Sequence, residues 1–240
     1  MPPQATARSP FAGCLILVLA LLMLVSLVGF AIWLPFKQAS EIEKFTAAAP
    51  QPLAVDATEG NEAQVNGLVE RLEAFRAELG DEAKPARLEL SAADLNLAIA
   101  AFPQVAELRK CFRVREIHAD ALVIDICYQL NGRPRLTRDG EDGFVTADPR
   151  YLIGTLRGTP RLGRRELSLA VDSLAVPGAT VPDGFMSHFS DLRLFERYLT
   201  DPVLGPAMAK LTRAELADGR LVLSRIPGDP LPATAGEASI

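Results

Sequence analysis

Two histidines and three cysteines among 240 residues leave little material for metal or nucleophile chemistry. No H-x-x-x-H or H-E-x-x-H occurs and no cysteine pair has zinc spacing, so no metal centre is expected. A G-x-S-x-G elbow, a P-loop and a dinucleotide fingerprint are also missing. His118 falls in a turn and reads as solvent-facing; His188, beside Asp191, reads as a local hydrogen-bonding group rather than a base. Positive charge is short as well. Twenty-five basic against 30 acidic residues give a net charge of −5, whereas phosphate binding along a nucleic acid needs a strongly basic face. The expectation is a non-enzymatic chain with no cofactor and no nucleic-acid partner.

Long hydrophobic runs are missing too, with one exception: Phe11 to Pro35 carries no charge. At ~1.5 Å per residue it is long enough to cross a ~30 Å hydrocarbon core. It outlasts the ~7–15 residues of a signal-peptide core and ends in Trp33-Leu34-Pro35-Phe36, not in a small-residue cleavage site. Residues 11–36 therefore read as an uncleaved single span. Lysine and arginine on its two flanks are nearly balanced, so charge gives little orientation. An early anchor before one domain predicts a cytoplasmic tail at 1–10 and an extracytoplasmic domain, on the inner membrane.

About 200 of the 240 residues follow, enough for one domain with a proper core. Residues 37–61 are rich in Ala, Pro and Glu and read as a linker. The domain is expected over 62–226 and a disordered Pro/Gly/Ala tail over 227–240. Val65, Leu68, Leu72, Phe75 and Leu79 recur at helical spacing before Gly80, predicting an amphipathic helix whose stripe packs on the domain. Arg87–Leu90 reads as a strand. Ser91-Ala-Ala-Asp94 forms a capping box opening a second helix that ends before Pro103, with Asn96 expected to bond nearby backbone or face solvent.

The middle is β. Leu122–Leu130 alternates apolar and polar, and Cys111–Ile117 does the same. A hairpin through His118-Ala119-Asp120 sets Phe112 against Ile126, Val114 against Ile124, Arg113 against Asp125, Cys111 against Cys127 and Ile117 against Ala121. In an oxidising compartment Cys111 and Cys127 are a candidate disulfide, with two free thiols as the alternative. Asn131–Gly143 reads as an exposed hairpin tip and Phe144–Thr146 as a short strand. Tyr151–Leu156 and Glu166–Val176 read as strands flanking a turn at Gly158–Gly163, with a bulge near Ser173. Short helices are expected at Asp183–Phe189, Leu192–Leu199 and Pro202–Leu211. A closing hairpin then turns at Ala217-Asp218-Gly219. Arginines 133, 135 and 138, and 157, 161, 164 and 165, cluster at two turns and read as solvated faces, or as contacts to anionic head groups. The fold class is α+β: an N-terminal transmembrane helix and one domain with a curved antiparallel sheet packed on helices.

This order of elements, with Leu90-Ser-Ala-Ala-Asp-Leu-Asn96 at a helix start and Ala217-Asp218-Gly219-Arg220-Leu221-Val222-Leu223 near the end, resembles the YpmS-like group of bacterial envelope proteins. It is also similar to mycobacterial-type envelope proteins related to tubular lipid-binding (TULIP) domains. The resemblance implies an envelope location and an apolar groove able to hold acyl chains; it implies no catalytic residues. A lipid would then lie along Leu95, Ile99, Phe112, Val114, Ile124 and Ile126, residues that serve equally well as ordinary core. The expected partners are the membrane, a lipid, or another envelope protein bound by a scaffold.

Overall fold

The computed structural model describes residues 10–54, 61–163, 166–189, 191–192, 201–202 and 204–231. The chain divides into two compact units, Met1–Lys44 with Asn131–Pro149, and Phe45–Leu130 with Arg150–Ile240. The architecture is α+β, as expected, with two antiparallel sheets where one was anticipated.

In the first unit the apolar run forms helix α1, Pro10–Glu43. Its residues from Cys14 to Gln38 are exposed, and the helix is long and apolar enough to cross a membrane. The segment read as a linker is thus helical through Glu43. Lys37 sits over the Trp33 ring at 4.9 Å. The rest of the unit, Asn131–Pro149, is a ribbon made by the end of strand β3 (Leu122–Leu136) and the start of strand β4 (Val145–Gly163).

In the second unit, helix α2 (Glu62–Gly80) and strand β1 (Ala86–Leu90) precede helix α3 (Ala92–Ala101) and a 3-10 segment, Pro103–Lys110. Strands β2 (Phe112–Ile117), β3, β4, β5 (Glu166–Ala175) and β6 (Asp191–Leu192) make a five-stranded sheet in that order. Helices α4 (Asp183–Phe189) and α5 (Leu204–Met208) come before strands β7 (Arg213–Ala217) and β8 (Arg220–Arg225), which with β1 form the sheet β1-β8-β7. The expected helix at Leu192–Leu199 begins instead as β6, paired with β5; residues 193–199 lie outside the described residues, as do most of the 1–10 tail and the end of the 227–240 tail. Asp218 and Gly219 turn the closing hairpin with φ of 51° and 72°, the left-handed pair that a two-residue turn demands.

One core joins α2 to the small sheet. Leu68, Phe75 and Leu79 are buried against Leu88, Leu90, Leu97, Leu211 and Leu221, with Val65 and Leu72 packed at the margin. The helix stripe is therefore consumed by the domain. Arg225 locks the far end: it is 6% exposed and donates to the carbonyls of Leu79 (2.6 Å), Glu78 (2.8 Å), Lys84 (2.6 Å) and Asp81. A guanidinium among the last carbonyls of a helix satisfies acceptors that have no intrahelical donor and opposes the negative end of the macrodipole.

Two bulges modify the expected registers. The pairs Phe112–Ile126, Arg113–Asp125 and Val114–Ile124 form as anticipated, but Arg115 is extra, so Ile117 meets Leu122 and not Ala121. The added residue swings Arg115, not Arg113, onto Asp125 at 2.7 Å. On β5, Asp172 is extra, close to the slip read at Ser173. Gly158–Gly163 does not turn at all; it pairs with β5 as far as Gly163–Glu166, so Tyr151–Leu156 and the expected short strand, which starts at Val145 and not at Phe144, belong to one continuous strand. The glycines mark close backbone approach: a Cβ on Gly154 would stand 2.4 Å from the Ala175 carbonyl oxygen, and one on Gly158 2.6 Å from that of Ala170.

Gly154→Ala should therefore destabilise the full chain in detergent by about 1–3 kcal/mol, because the backbone must shift. Gly67→Ala, inside α2 with open space around its Cβ, should instead raise stability by roughly 0.5–1 kcal/mol. Thermal unfolding of the two variants beside wild type checks both signs.

Candidate functional site

The residues singled out for an apolar groove lie at the junction of α3 with β2 and β3. Ile99, Phe112, Val114, Ile124 and Ile126 are all buried, and Leu95 is half-buried against the core under the small sheet. Phe112–Ile126 and Val114–Ile124 are facing ladder pairs on the five-stranded sheet. Two surface depressions lie on either side of Arg71. One, of about 270 Å³, is lined by Arg71, Phe75, Arg87, Leu88, Glu89 and Arg220 among others; the second, of about 470 Å³, includes Gln64, Gly67, Leu68, Asp94 and Leu97. Neither is lined by any of the six.

What stands at the junction is a polar joint. Asn96 is 6% exposed, and its Nδ2 donates to the Val114 carbonyl at 2.7 Å while its Oδ1 accepts from the Val114 N–H at 2.8 Å. The side-chain amide therefore acts as one more peptide of the ladder, placed against the outer edge of β2. The partner lies 18 residues away, not in nearby backbone as expected. One turn earlier the capping box forms as read: Ser91 Oγ accepts from the Asp94 N–H at 3.1 Å, and Asp94 accepts from the Ser91 N–H at 2.9 Å. Arg71 of α2 ion-pairs with Asp94 and donates to the Glu89 carbonyl at 3.3 Å, so α2 is tied to the start of α3. Burial pushes the Asp94 carboxyl up, but the Ser91 N–H, the Ser91 hydroxyl and the Arg71 guanidinium together hold it below its ordinary value.

Cys127 is buried and Cys111, which ends the 3-10 segment just before β2, is half-buried; the expected pairing is kept as one backbone hydrogen bond, the Cys127 N–H donating to the Cys111 carbonyl at 2.9 Å. Both thiols are free. His118 is exposed at the β2–β3 turn beside Glu116, 3.1 Å away. The side chains of His188 and Asp191, and residues Arg164 and Arg165, lie outside the described residues. Among the described residues no cluster of His, Cys, Asp and Glu is arranged to hold a metal.

Described arginines of both clusters meet acids. Arg157 reaches Asp120 at 2.6 Å. In the ribbon, Arg133 pairs with Glu43 of α1 at 2.8 Å, Arg135 with Glu141 and Asp148, both at 2.7 Å, and Arg138 with Asp148 at 3.7 Å. Arg135, helped by the Arg138 N–H, pulls the Glu141 carboxyl down to about 2. Sequence reading missed Arg71 and Arg225. For Arg225 a signal existed, since it shares strand parity with Leu221 and Leu223.

No known protein family, no curated protein and no solved structure matches this chain.

Asn96→Ala leaves a buried N–H and C=O without partners, so a loss of about 2–4 kcal/mol is expected in chemical unfolding of the full chain. Asn96→Asp keeps the acceptor but turns a carboxylate toward the Val114 carbonyl, and should cost at least as much. For Asp94 the folded-state carboxyl is lowered, so its contribution is complete above the ordinary carboxylate range and is lost as pH falls through the folded value. Asp94→Asn should be less stable near neutrality and show a smaller further loss of stability on acidification, measured by unfolding at a series of pH values.

Proposed function

We propose that this chain is a bitopic envelope protein, non-enzymatic, whose domain serves as an interaction scaffold beside the inner membrane. The single observation that carries the reading is α1: an apolar helix near the N-terminus, long enough to span a bilayer, with its apolar side chains exposed. The domain side is read as extracytoplasmic.

The ribbon supports the scaffold role. It belongs to the same compact unit as α1 and is tied to its last turn by Arg133 and Glu43. Ala39 of α1 and Gly132 of the ribbon are buried. At the far end, Leu136, Phe144 and Val145 are 77%, 90% and 64% exposed, on a tip held by Arg135 and by Thr137 Oγ1 donating to the Gly143 carbonyl at 2.9 Å. Apolar side chains presented on a braced polar tip fit recognition by another membrane-proximal protein. Helix α2 is not offered to a partner, because its stripe is buried in the domain core. Lipid binding along Leu95, Ile99, Phe112, Val114, Ile124 and Ile126 is the weaker reading, since five of the six are buried and none lines either depression.

Expressed in a bacterial host, the full chain should stay with membranes in alkaline carbonate, and a reporter active only outside the cytoplasm should be active when fused to the C-terminus. Release by carbonate overturns the anchor, and an inactive reporter overturns the orientation. One phospholipid per purified chain, found by mass spectrometry, would favour the lipid reading over the scaffold.

A further inference from the structure

The start of β2 carries chemistry that the scaffold role does not use. Cys111 immediately precedes β2 and Cys127 lies on β3, and the Cys127 N–H donates to the Cys111 carbonyl at 2.9 Å one position beyond the Phe112–Ile126 pair. Hydrogen-bonded cross-strand partners have Cα atoms ~5.5 Å apart, inside the ~4.4–6.8 Å that disulfides span, and the shared backbone hydrogen bond holds these two residues in that neighbourhood. Bridging also needs the Cβ atoms to close by roughly 1 Å. Cys111 is placed to supply that movement. It caps the 3-10 segment with φ −111° and ψ −25°, and its own N–H donates to Leu108 at 3.0 Å, so only its carbonyl is held in the ladder.

We propose that Cys111 and Cys127 are a dithiol that closes to an intramolecular disulfide in an oxidising compartment and clamps the first residues of β2 onto β3. The oxidant is a disulfide, of a small molecule or of a protein. The more accessible Cys111 thiolate attacks one sulfur of that disulfide, forming a mixed disulfide and expelling one thiolate. The Cys127 thiolate then attacks Cys111 Sγ and expels the second. The two cysteine protons end on the departing thiols or in water, and the two electrons end on the reduced oxidant. Burial, and then the neighbouring Cys127, push the Cys111 thiol above its ordinary value, so the reaction is slow near neutrality and quickens as pH rises.

The clamp has a structural purpose. β2 is the edge of its sheet, and its outer side is held by the Asn96 amide. A bridge at position 111 fixes the inner side at the point where the ladder begins, and closes a short loop over the β2–β3 hairpin. This chemistry belongs to the domain and does not depend on α1 crossing a membrane.

The test uses the full chain in detergent with Cys14→Ser, which removes the exposed thiol of α1. Glutathione disulfide should lower the mass by about 2 Da, link the 111 and 127 peptides, and abolish maleimide labelling of both thiols together. The melting temperature should rise by about 5 °C over the reduced protein. With Cys127→Ser added, Cys111 should stop at the glutathione adduct and the rise should vanish. Persistent labelling of both thiols, or glutathione adducts without a bridge in the Cys14→Ser parent, overturns the pairing. A bridge that leaves the melting temperature unchanged or lowers it overturns the clamp. Neither of the first two readouts requires the additional variant to fold.

Discussion

The arrangement of the domain depends on one buried amide. Asn96 gives β2 the donor and the acceptor that a further strand would have supplied, so the five-stranded sheet stops at β2 without an open edge at Val114. The neighbouring residue Leu97 is part of the core under the small sheet. A single helix turn thus serves two sheets, with an apolar side chain facing one and an amide facing the other. An amide does this where an apolar residue could not, because a buried peptide group without a partner costs more than the hydrogen bond returns when made.

The small sheet solves a second constraint. β1 lies early in the domain and β8 at its end, and their pairing closes the domain through antiparallel partners from Ala86–Arg225 to Leu90–Leu221. At the Ala86 end, Arg225 gathers four carbonyls at the end of α2 and in the chain just beyond it. Its charge faces a helix C-terminus and carbonyl dipoles in place of a carboxylate, and its Nε is buried without a partner. The leucines of α2 give that core its bulk, and Arg225 fixes where the helix ends.

Much of this was legible where the signal is local. The capping box, the α2 stripe, the Asp218-Gly219 turn and the pairing of Phe112 with Ile126 follow from spacing and alternation alone. The bulge at Arg115 leaves no mark in composition, since one extra residue in a polar stretch resembles continued alternation. Gly158 and Pro160 read as turn residues because that is the commoner reason for Gly and Pro, whereas Gly158 is there for the approach of the Ala170 carbonyl. The partner of Asn96 was illegible because a hydrogen bond to a strand 18 residues away has no sequence period. Five of the six apolar positions are buried and Leu95 is half-buried, and their spacing does not distinguish a filled core from a lined groove.

The helix-start motif that suggested lipid-binding relatives is, in this chain, an architectural joint. Ser91 and Asp94 cap α3, Arg71 ties it to α2, and Asn96 holds the sheet edge. The most direct test is amide hydrogen exchange of the full chain in detergent, read at Val114. Its N–H points away from β3, so as an open edge amide it would exchange as fast as exposed backbone. The account predicts protection equal to that of the ladder amides of β2 and β3, because Asn96 Oδ1 holds it. Rapid exchange at Val114 beside protected neighbours would contradict the account.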